Sequence, residues 1–262
     1  MNSESDQPRL EQLERAIAVI RAFDAENPRL TVSEVAQLTD TTRASARRIL
    51  LTFKALGLMR SDGRHFSLTP RVLELGWNYF ASLGVDEIAK PLMKDLVTQI
   101  DESCSMATLD LPDIVYIARA HTNRVMTIGG GIGTRLPAHA TASGIVLLGS
   151  LDDDELDRYL DRPLERFTPR TTTDPGQLRT LIETSRARGW SLNDQALEIG
   201  LRGIAVPVRD RSGDLVAALS VSSNSARTTL DDLRARCLPA VQETARAIAS
   251  GLSRGDARES VS

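Results

Sequence analysis

A chain of 262 residues, 41% of them hydrophobic, has room for two ordinary domains with real cores. Its net charge is −3, no apolar run approaches the roughly 20 residues that span a bilayer, and Met1–Arg9 lacks an apolar signal core. Membrane insertion and secretion are therefore not expected, the cytoplasm is the default location, and two cysteines, Cys104 and Cys237, make no disulfide framework.

Leu10, Leu13, Ile17 and Ile20 recur at helical spacing with Phe23 one turn on, so a first helix should pack on the next two. Asn27-Pro28 ends it. Thr31-Val32-Ser33-Glu34 reads as a capping box. It opens a second helix whose inner side is Val35, Ala36 and Leu38. Residues 39–42 form a turn, in which Asp40 tolerates a left-handed backbone better than most residues. A third helix is expected from about Arg43 to Leu56, with Ala46, Ile49, Leu50, Phe53 and Leu56 facing inward. Arg43 and Arg47 lie one turn apart on another face, with Arg48 and Thr52 beside them. Gly57 suits the helix end. Two short strands, 58–60 and 65–68, flank Ser61-Asp62-Gly63-Arg64, and Asp-Gly between strands signals a hairpin.

Helix, turn, helix, hairpin is a winged helix-turn-helix. The charge fits a duplex-binding face. Residues 40–71 carry seven Arg or Lys against two acids, a net +5 inside a chain of −3, which leaves −8 on the remainder. A cationic face, not the overall balance, binds phosphates. A solvated basic surface would show the same charge. Thr69-Pro70 starts another helix with a stripe of Val72, Leu75, Gly76, Tyr79 and Phe80. The expected layout is a DNA-binding domain at 9–69, a linker helix at 70–83 and a second domain at 84–254.

That second domain opens with an amphipathic helix over 85–100. Strand-like runs follow at 104–109, 114–119 and 125–128, then helical patterns near 141–148, 152–160 and 175–188. Gly189 ends the last of these. Strands at 204–208 and 215–221 flank the turn 210–213, and a final helix over 230–252 shows Leu233, Leu238, Val241, Ile248 and Leu252. This order implies an α+β module with an antiparallel-rich sheet flanked by helices.

Catalytic chemistry has little support. His65, His121 and His139 and the two cysteines stand at no metal-ligand spacing, and nothing local makes Cys104 and His139 a nucleophile pair. The glycine run at 129–133 lacks the residues that finish a phosphate loop. Asp152-Asp153-Asp154-Glu155 complements a helix start. A ligand pocket is the better reading. His139 to Gly144 enters a helix after Pro137, and free N–H groups there attract a carboxylate, although an ordinary capped helix looks the same. Ser220 and Ser222 alternate with Val221, so both hydroxyls share one side of a strand, which is either solvent or a site. Asn193 and Asp194 precede the loop Gly200-Leu201-Arg202-Gly203.

Taken together the segments resemble the IclR family of bacterial transcription regulators over roughly residues 10–252. The motifs that carry the resemblance are residues 30–36 (Leu-Thr-Val-Ser-Glu-Val-Ala), 42–48 (Thr-Arg-Ala-Ser-Ala-Arg-Arg), 68–76, 133–141 and 198–210. The resemblance implies an N-terminal winged helix, a dimerising linker helix and a C-terminal GAF-like effector-binding domain, in a homodimer or homotetramer. It implies no cofactor. The residues expected to meet a pseudo-palindromic double-stranded operator are Thr42, Arg43, Ser45 and Arg47 near the start of the third helix, with Arg48 at phosphate or solvent and Arg64 on the hairpin. The family's effector positions correspond to Ala142, Ser143, Asn193, Asp194, Gly203, Ser220 and Ser222, holding a small carboxylate. Residues 135–141 and 200–207 most resemble the branch controlling aromatic-acid catabolism, including regulators that respond to protocatechuate, 4-hydroxybenzoate or β-ketoadipate-pathway metabolites. The alternative is an enzyme acting on a small carboxylate through the second domain.

Overall fold

The computed structural model describes residues 10–76, 85–122, 130–210 and 212–255. The chain separates into two compact units, residues 1–79 and 80–262.

In the first unit, helix α1 (Glu11–Arg21) is followed by the two-residue strand β1 (Leu30–Thr31), α2 (Val32–Leu38), α3 (Arg43–Ala55), β2 (Met59–Ser61) and β3 (His65–Leu68). The strands form an antiparallel sheet in the order β1-β3-β2, and the whole is a winged helix-turn-helix. The capping box is complete: the Thr31 hydroxyl accepts from the Glu34 N–H at 3.4 Å, and the Glu34 carboxylate accepts from the Thr31 N–H at 2.7 Å. The α2–α3 turn uses the left-handed conformation at Asp40, with φ 47°. Gly57, at φ 77°, ends α3 in the same region.

The core of this unit gathers Val19, Phe23, Val35, Ala46, Leu50, Phe53 and Phe66. Here the structure corrects three expectations. Leu10, Leu13 and Ile17 are exposed, because α1 buries the side that carries Val19, while Phe23, just past the helix, packs into the core as expected. Leu38, in the last turn of α2, and Leu56, just past α3, also face solvent. After β3 a 3-10 turn, Pro70–Leu73, leads into a helical stretch at 74–76. Leu73 and Leu75 there are exposed, while Tyr79, Phe80 and the second half of the expected linker helix lie outside the described residues.

The second unit is built on a six-stranded antiparallel sheet. A π turn, Val85–Ala89, runs into α4 (Lys90–Ile100). Then come β4 (Ser103–Asp110), β5 (Asp113–Ala120), β6 (Arg135–Pro137), α5 (Ala142–Leu148), α6 (Asp153–Leu160), α7 (Pro175–Arg188), β7 (Ser191–Asp194), β8 (Leu201–Arg209) and β9 (Leu215–Asn224). The last helix begins at Leu230–Asp232, widens into a π turn at Leu233–Cys237 and continues as α8 (Leu238–Gly255). Sheet order is β6-β5-β4-β9-β8-β7. The strand expected at 125–128 and the side chain of Leu252 lie outside the described residues.

Alternation sorts the sheet into two faces. Met106, Val206 and Leu219 meet Met93, Leu96, Val241 and Ile248 of α4 and α8. Ala107, Ala205 and Ala218 meet Ile145 and Leu148 of α5, with α6 and α7 outside it. Small residues on this second face let α5 come close. Glu102, at the head of β4, is buried and ties the two ends of this unit together. It accepts hydrogen bonds from Arg227 at 2.6 Å and from the Thr228 hydroxyl at 2.9 Å.

Candidate functional site

The cationic surface of the first unit is carried by α3. Thr42 is its N-cap, accepting from the Ser45 N–H at 3.2 Å, so its hydroxyl is occupied in holding the helix start. Arg43 and Arg47 are exposed on one flank. Ser45 and Arg48 lie on the other flank, lining a shallow groove against Gln12 and Ala16 of α1. Arg43 and Arg47 share a face with the exposed Lys54, whereas Arg48 sits apart from them.

Arg64 is exposed at the tip of the β2–β3 hairpin. Asp62 knits that tip, accepting from the backbone N–H of His65 at 2.7 Å and of Arg64 at 3.0 Å, and pairing with Arg29. These bonds hold its carboxyl down at about 2, from an ordinary 3.8. A depressed folded-state value means that the stabilisation is present above about pH 4 and is lost as pH falls through about 2. Asp62→Ala is therefore expected to be less stable than the parent at neutral pH, with the gap closing between about pH 4 and 2. Denaturant titrations across that range check it, and a gap independent of pH would remove the carboxylate from the account.

In the second unit, Ala142, Ser143, Asn193, Gly203, Ser220 and Ser222 line one cavity of about 200 Å³. It sits where β8 and β9 run past the start of α5. Thr141 caps α5, accepting from the Gly144 N–H at 3.0 Å. Ser220 is buried and donates to the Ser105 carbonyl at 3.3 Å. Among the described residues the Ser143 and Ser222 hydroxyls make no hydrogen bond within the chain, so both are available to a ligand. A Cβ placed on Gly203 would stand 3.3 Å from the Val221 carbonyl and 3.9 Å from Ser222 Oγ, so any side chain there narrows the cavity.

Two of the polar residues do other work. Asn193 donates to the Ala140 carbonyl and accepts from the Ala196 N–H at 2.9 Å, pinning β7 to the entry of α5. Asp194 does not line the cavity. Its carboxylate is paired with Arg170 and, at 2.6 Å, with Arg202. Burial works to raise this carboxyl, but the hydrogen bonds from Arg202 and Gln195 and the two arginine charges outweigh it and hold it low. Arg202 also donates to the Thr228 carbonyl at 3.0 Å.

Sequence reasoning missed Tyr116, Leu136, Leu197 and Leu201 in the lining. Tyr116 arrives from β5, and only the sheet order could have brought it there. The cavity thus joins apolar walls to neutral hydroxyls, with Arg202 as the sole basic and Glu198 as the sole acidic side chain among the described lining residues.

Cys104 and His139 are engaged separately. The Cys104 thiol, pushed up to about 12 by burial, points at the Met93 carbonyl, while the His139 Nε2 lies 2.9 Å from the Glu165 carbonyl. Among the described residues no cluster of three His, Cys, Asp or Glu side chains could hold a metal ion, and no helix is long and apolar enough to cross a membrane.

A winged helix-turn-helix followed by an α+β unit with a small cavity defines a class, the two-unit bacterial transcription regulators. The chain belongs to the IclR family of that class. Residues 12–63 match the IclR helix-turn-helix domain, and residues 77–250 match the C-terminal domain of IclR bacterial transcriptional regulators. The chain is similar to the Pca regulon regulatory protein of Pseudomonas putida, with 43% identity over 87% of this chain and 79% of that protein. The crystal structure of RHA06195 from Rhodococcus sp. RHA1 superposes with a TM-score of 0.83 at 47% identity, covering 93% of this chain and 98% of that one. An IclR homologue from Microbacterium hydrocarbonoxydans, solved in complex with 4-hydroxybenzoate, superposes with a TM-score of 0.83 at 25% identity, over 92% of this chain and 98% of that one.

Proposed function

We propose that this regulator is gated by a small aromatic acid of the hydroxybenzoate type, or a short carboxylate of the same catabolic chemistry, bound in the cavity between α5 and the β8–β9 pair. The observation that carries the reading is the cavity. Its size, about 200 Å³, falls below the roughly 300–1,000 Å³ of drug-sized sites. Leu136, Leu201 and Tyr116 offer a surface for a ring, and the hydroxyls of Ser143, Ser220 and Ser222 offer donors and acceptors to polar substituents. The 4-hydroxybenzoate complex of the Microbacterium homologue supports this choice of ligand class.

Arg43, Arg47 and Arg64 would contact a double-stranded operator, and a dimer or tetramer would read a pseudo-palindrome in the cytoplasm. Ligand binding would favour one arrangement of the DNA-binding units, with a coupling of about 1–3 kcal/mol.

Thermal unfolding against a panel of aromatic and short dicarboxylic acids tests the reading. A ligand at 100 times its Kd adds about 2.7 kcal/mol. Ser143→Ala and Ser220→Ala are expected to shrink that shift for the same acid. Protein that binds DNA but gives no shift with any acid would sink the proposal.

A further inference from the structure

Arg202 is among the residues that line the effector cavity, yet its hydrogen bonds lead away from it. Besides the Asp194 carboxylate, its guanidinium donates to two carbonyls just past the end of β9, Ser225 at 3.3 Å and Thr228 at 3.0 Å. Thr228 is buried, and it carries the link onward: its hydroxyl donates to Glu102 at 2.9 Å. Glu102, buried in turn, also accepts from Arg227 at 2.6 Å and lies 3.9 Å from Arg236. Arg236 stands in the π turn before α8 and donates to the Ile100 carbonyl at 2.7 Å. It thereby satisfies one of the carbonyls that the end of α4 leaves without a helical partner. A continuous chain of polar contacts thus runs from the cavity wall to the end of α4. That helix opens the described part of this unit, on the side of the sequence that leads back to the DNA-binding unit.

The buried carboxylate makes this chain stiff. Withdrawing one donor from Glu102 leaves a charge underpaired in the interior, so the remaining partners must move with it. The other end of the chain has a second place to go. Ser223 stands directly across from Arg202 in the β8–β9 pair, so the two side chains share one face of the sheet, with Cβ atoms about 5 Å apart in such a pair. Ser223 is buried, and among the described residues its hydroxyl has no hydrogen-bond partner. An unpaired buried hydroxyl is costly, and a guanidinium has donors to offer it. The next rung of the same ladder pairs Gly203 with Ser222, and both of these line the cavity.

We propose that Arg202 is a positioning residue with two stations, the Thr228 carbonyl and the Ser223 hydroxyl, and that occupancy of the effector cavity moves it from the first toward the second. A ligand seated on Gly203 and Ser222 braces the two strands at the adjoining rung and favours the Arg202–Ser223 bond, which is the differential contact that a population shift requires. Release of the Thr228 carbonyl then reaches the end of α4 through Glu102 and Arg236. The inference rests on the effector reading of the cavity.

Hydrogen–deuterium exchange on the full chain tests it, with and without 4-hydroxybenzoate or protocatechuate, whose binding calorimetry measures on the same samples. In the parent the acid is expected to change exchange at 225–229 and in the last turn of α4 as well as at the cavity wall. Ser223→Ala removes a hydroxyl that bonds nothing in this arrangement. It is expected to fold with undiminished stability, bind the acid with unchanged Kd and keep the response at the wall, while the response at 225–229 and α4 is lost. Glu102→Gln, checked for folding by thermal unfolding, is expected to stop the response between 225–229 and α4. A side chain that only supports the fold would change exchange in the free protein and leave the effect of the acid intact. A full response at α4 in either folded variant overturns the proposal, as does a parent that binds an acid with a response confined to the cavity wall. If neither acid binds the parent, the effector reading falls and this inference with it, an outcome that the calorimetry separates from the others.

Discussion

Replacing Gly144 by alanine is expected to destabilise the second unit at or beyond the top of the ~1–3 kcal/mol range that overpacking normally costs. In an ordinary exposed helix the same change would help, because alanine is the better helix former by about 1 kcal/mol. Here the sign reverses. A Cβ on Gly144 would fall 2.0 Å from the Ala138 carbonyl oxygen and 2.4 Å from the Ala138 Cα. Both are backbone atoms, so no rotamer change relieves the clash. Helix α5 must withdraw from the 138–140 turn, and Ala142 and Ser143 leave the cavity wall with it. In a unit of this size a loss of about 3 kcal/mol lowers the unfolding midpoint by roughly 6–12 °C. Scanning calorimetry reads it directly, with ligand binding measured on the same sample. A midpoint at or above that of the parent would show that α5 does not need its close approach.

Arg47→Ala is expected to weaken operator binding by about 1–3 kcal/mol if the side chain reads a base, roughly 5- to 150-fold. If Arg47 meets a phosphate instead, the salt dependence should fall by about one counterion. Its exposure separates function from folding, since substitutions at such positions usually change stability by less than about 0.5 kcal/mol. Arg48→Ala is the informative comparison. Arg48 lines the groove against α1 rather than the Arg43–Arg47 flank, so its loss should cost less. Binding titrations at several salt concentrations resolve the two modes, and an Arg47→Ala curve that overlays the parent at every salt would move the contact elsewhere.

What the sequence carried best were features stored in a few adjacent residues. The Thr31–Glu34 box, the Asp62-Gly63 hairpin and the Asp40 turn each depend on local chemistry, and each is found where that chemistry places it. The first helix shows why periodicity alone falls short. Leu10, Leu13 and Ile17 make the stronger stripe, but Val19, on nearly the opposite side of the helix from Ile17, is buried, and of the expected residues Phe23, just past the helix, joins it in the core. A helix with two apolar flanks does not say which flank meets the core.

Strands β1, β6 and β7 are two, three and four residues long, too short to show alternation. Asn193 and Asp194 therefore read as loop although they lie in β7. In the cavity, the shared side of Ser220 and Ser222 was visible from their spacing. The arrival of Tyr116 was not, because it depends on β4 lying between β5 and β9.

Thr31 belongs to two elements at once. As the last residue of β1 it pairs with His65 of the hairpin, and as the N-cap of α2 it sets the first turn of the helix pair. The hairpin and the helices are thus indexed from one residue. A slip of β1 against β3 would unseat the start of α2, and an inserted residue at that point would break both alignments together. Changes among the exposed side chains of α3 leave the shared origin untouched. The surface can be re-lettered without being rebuilt, while its geometry is inherited as a single piece.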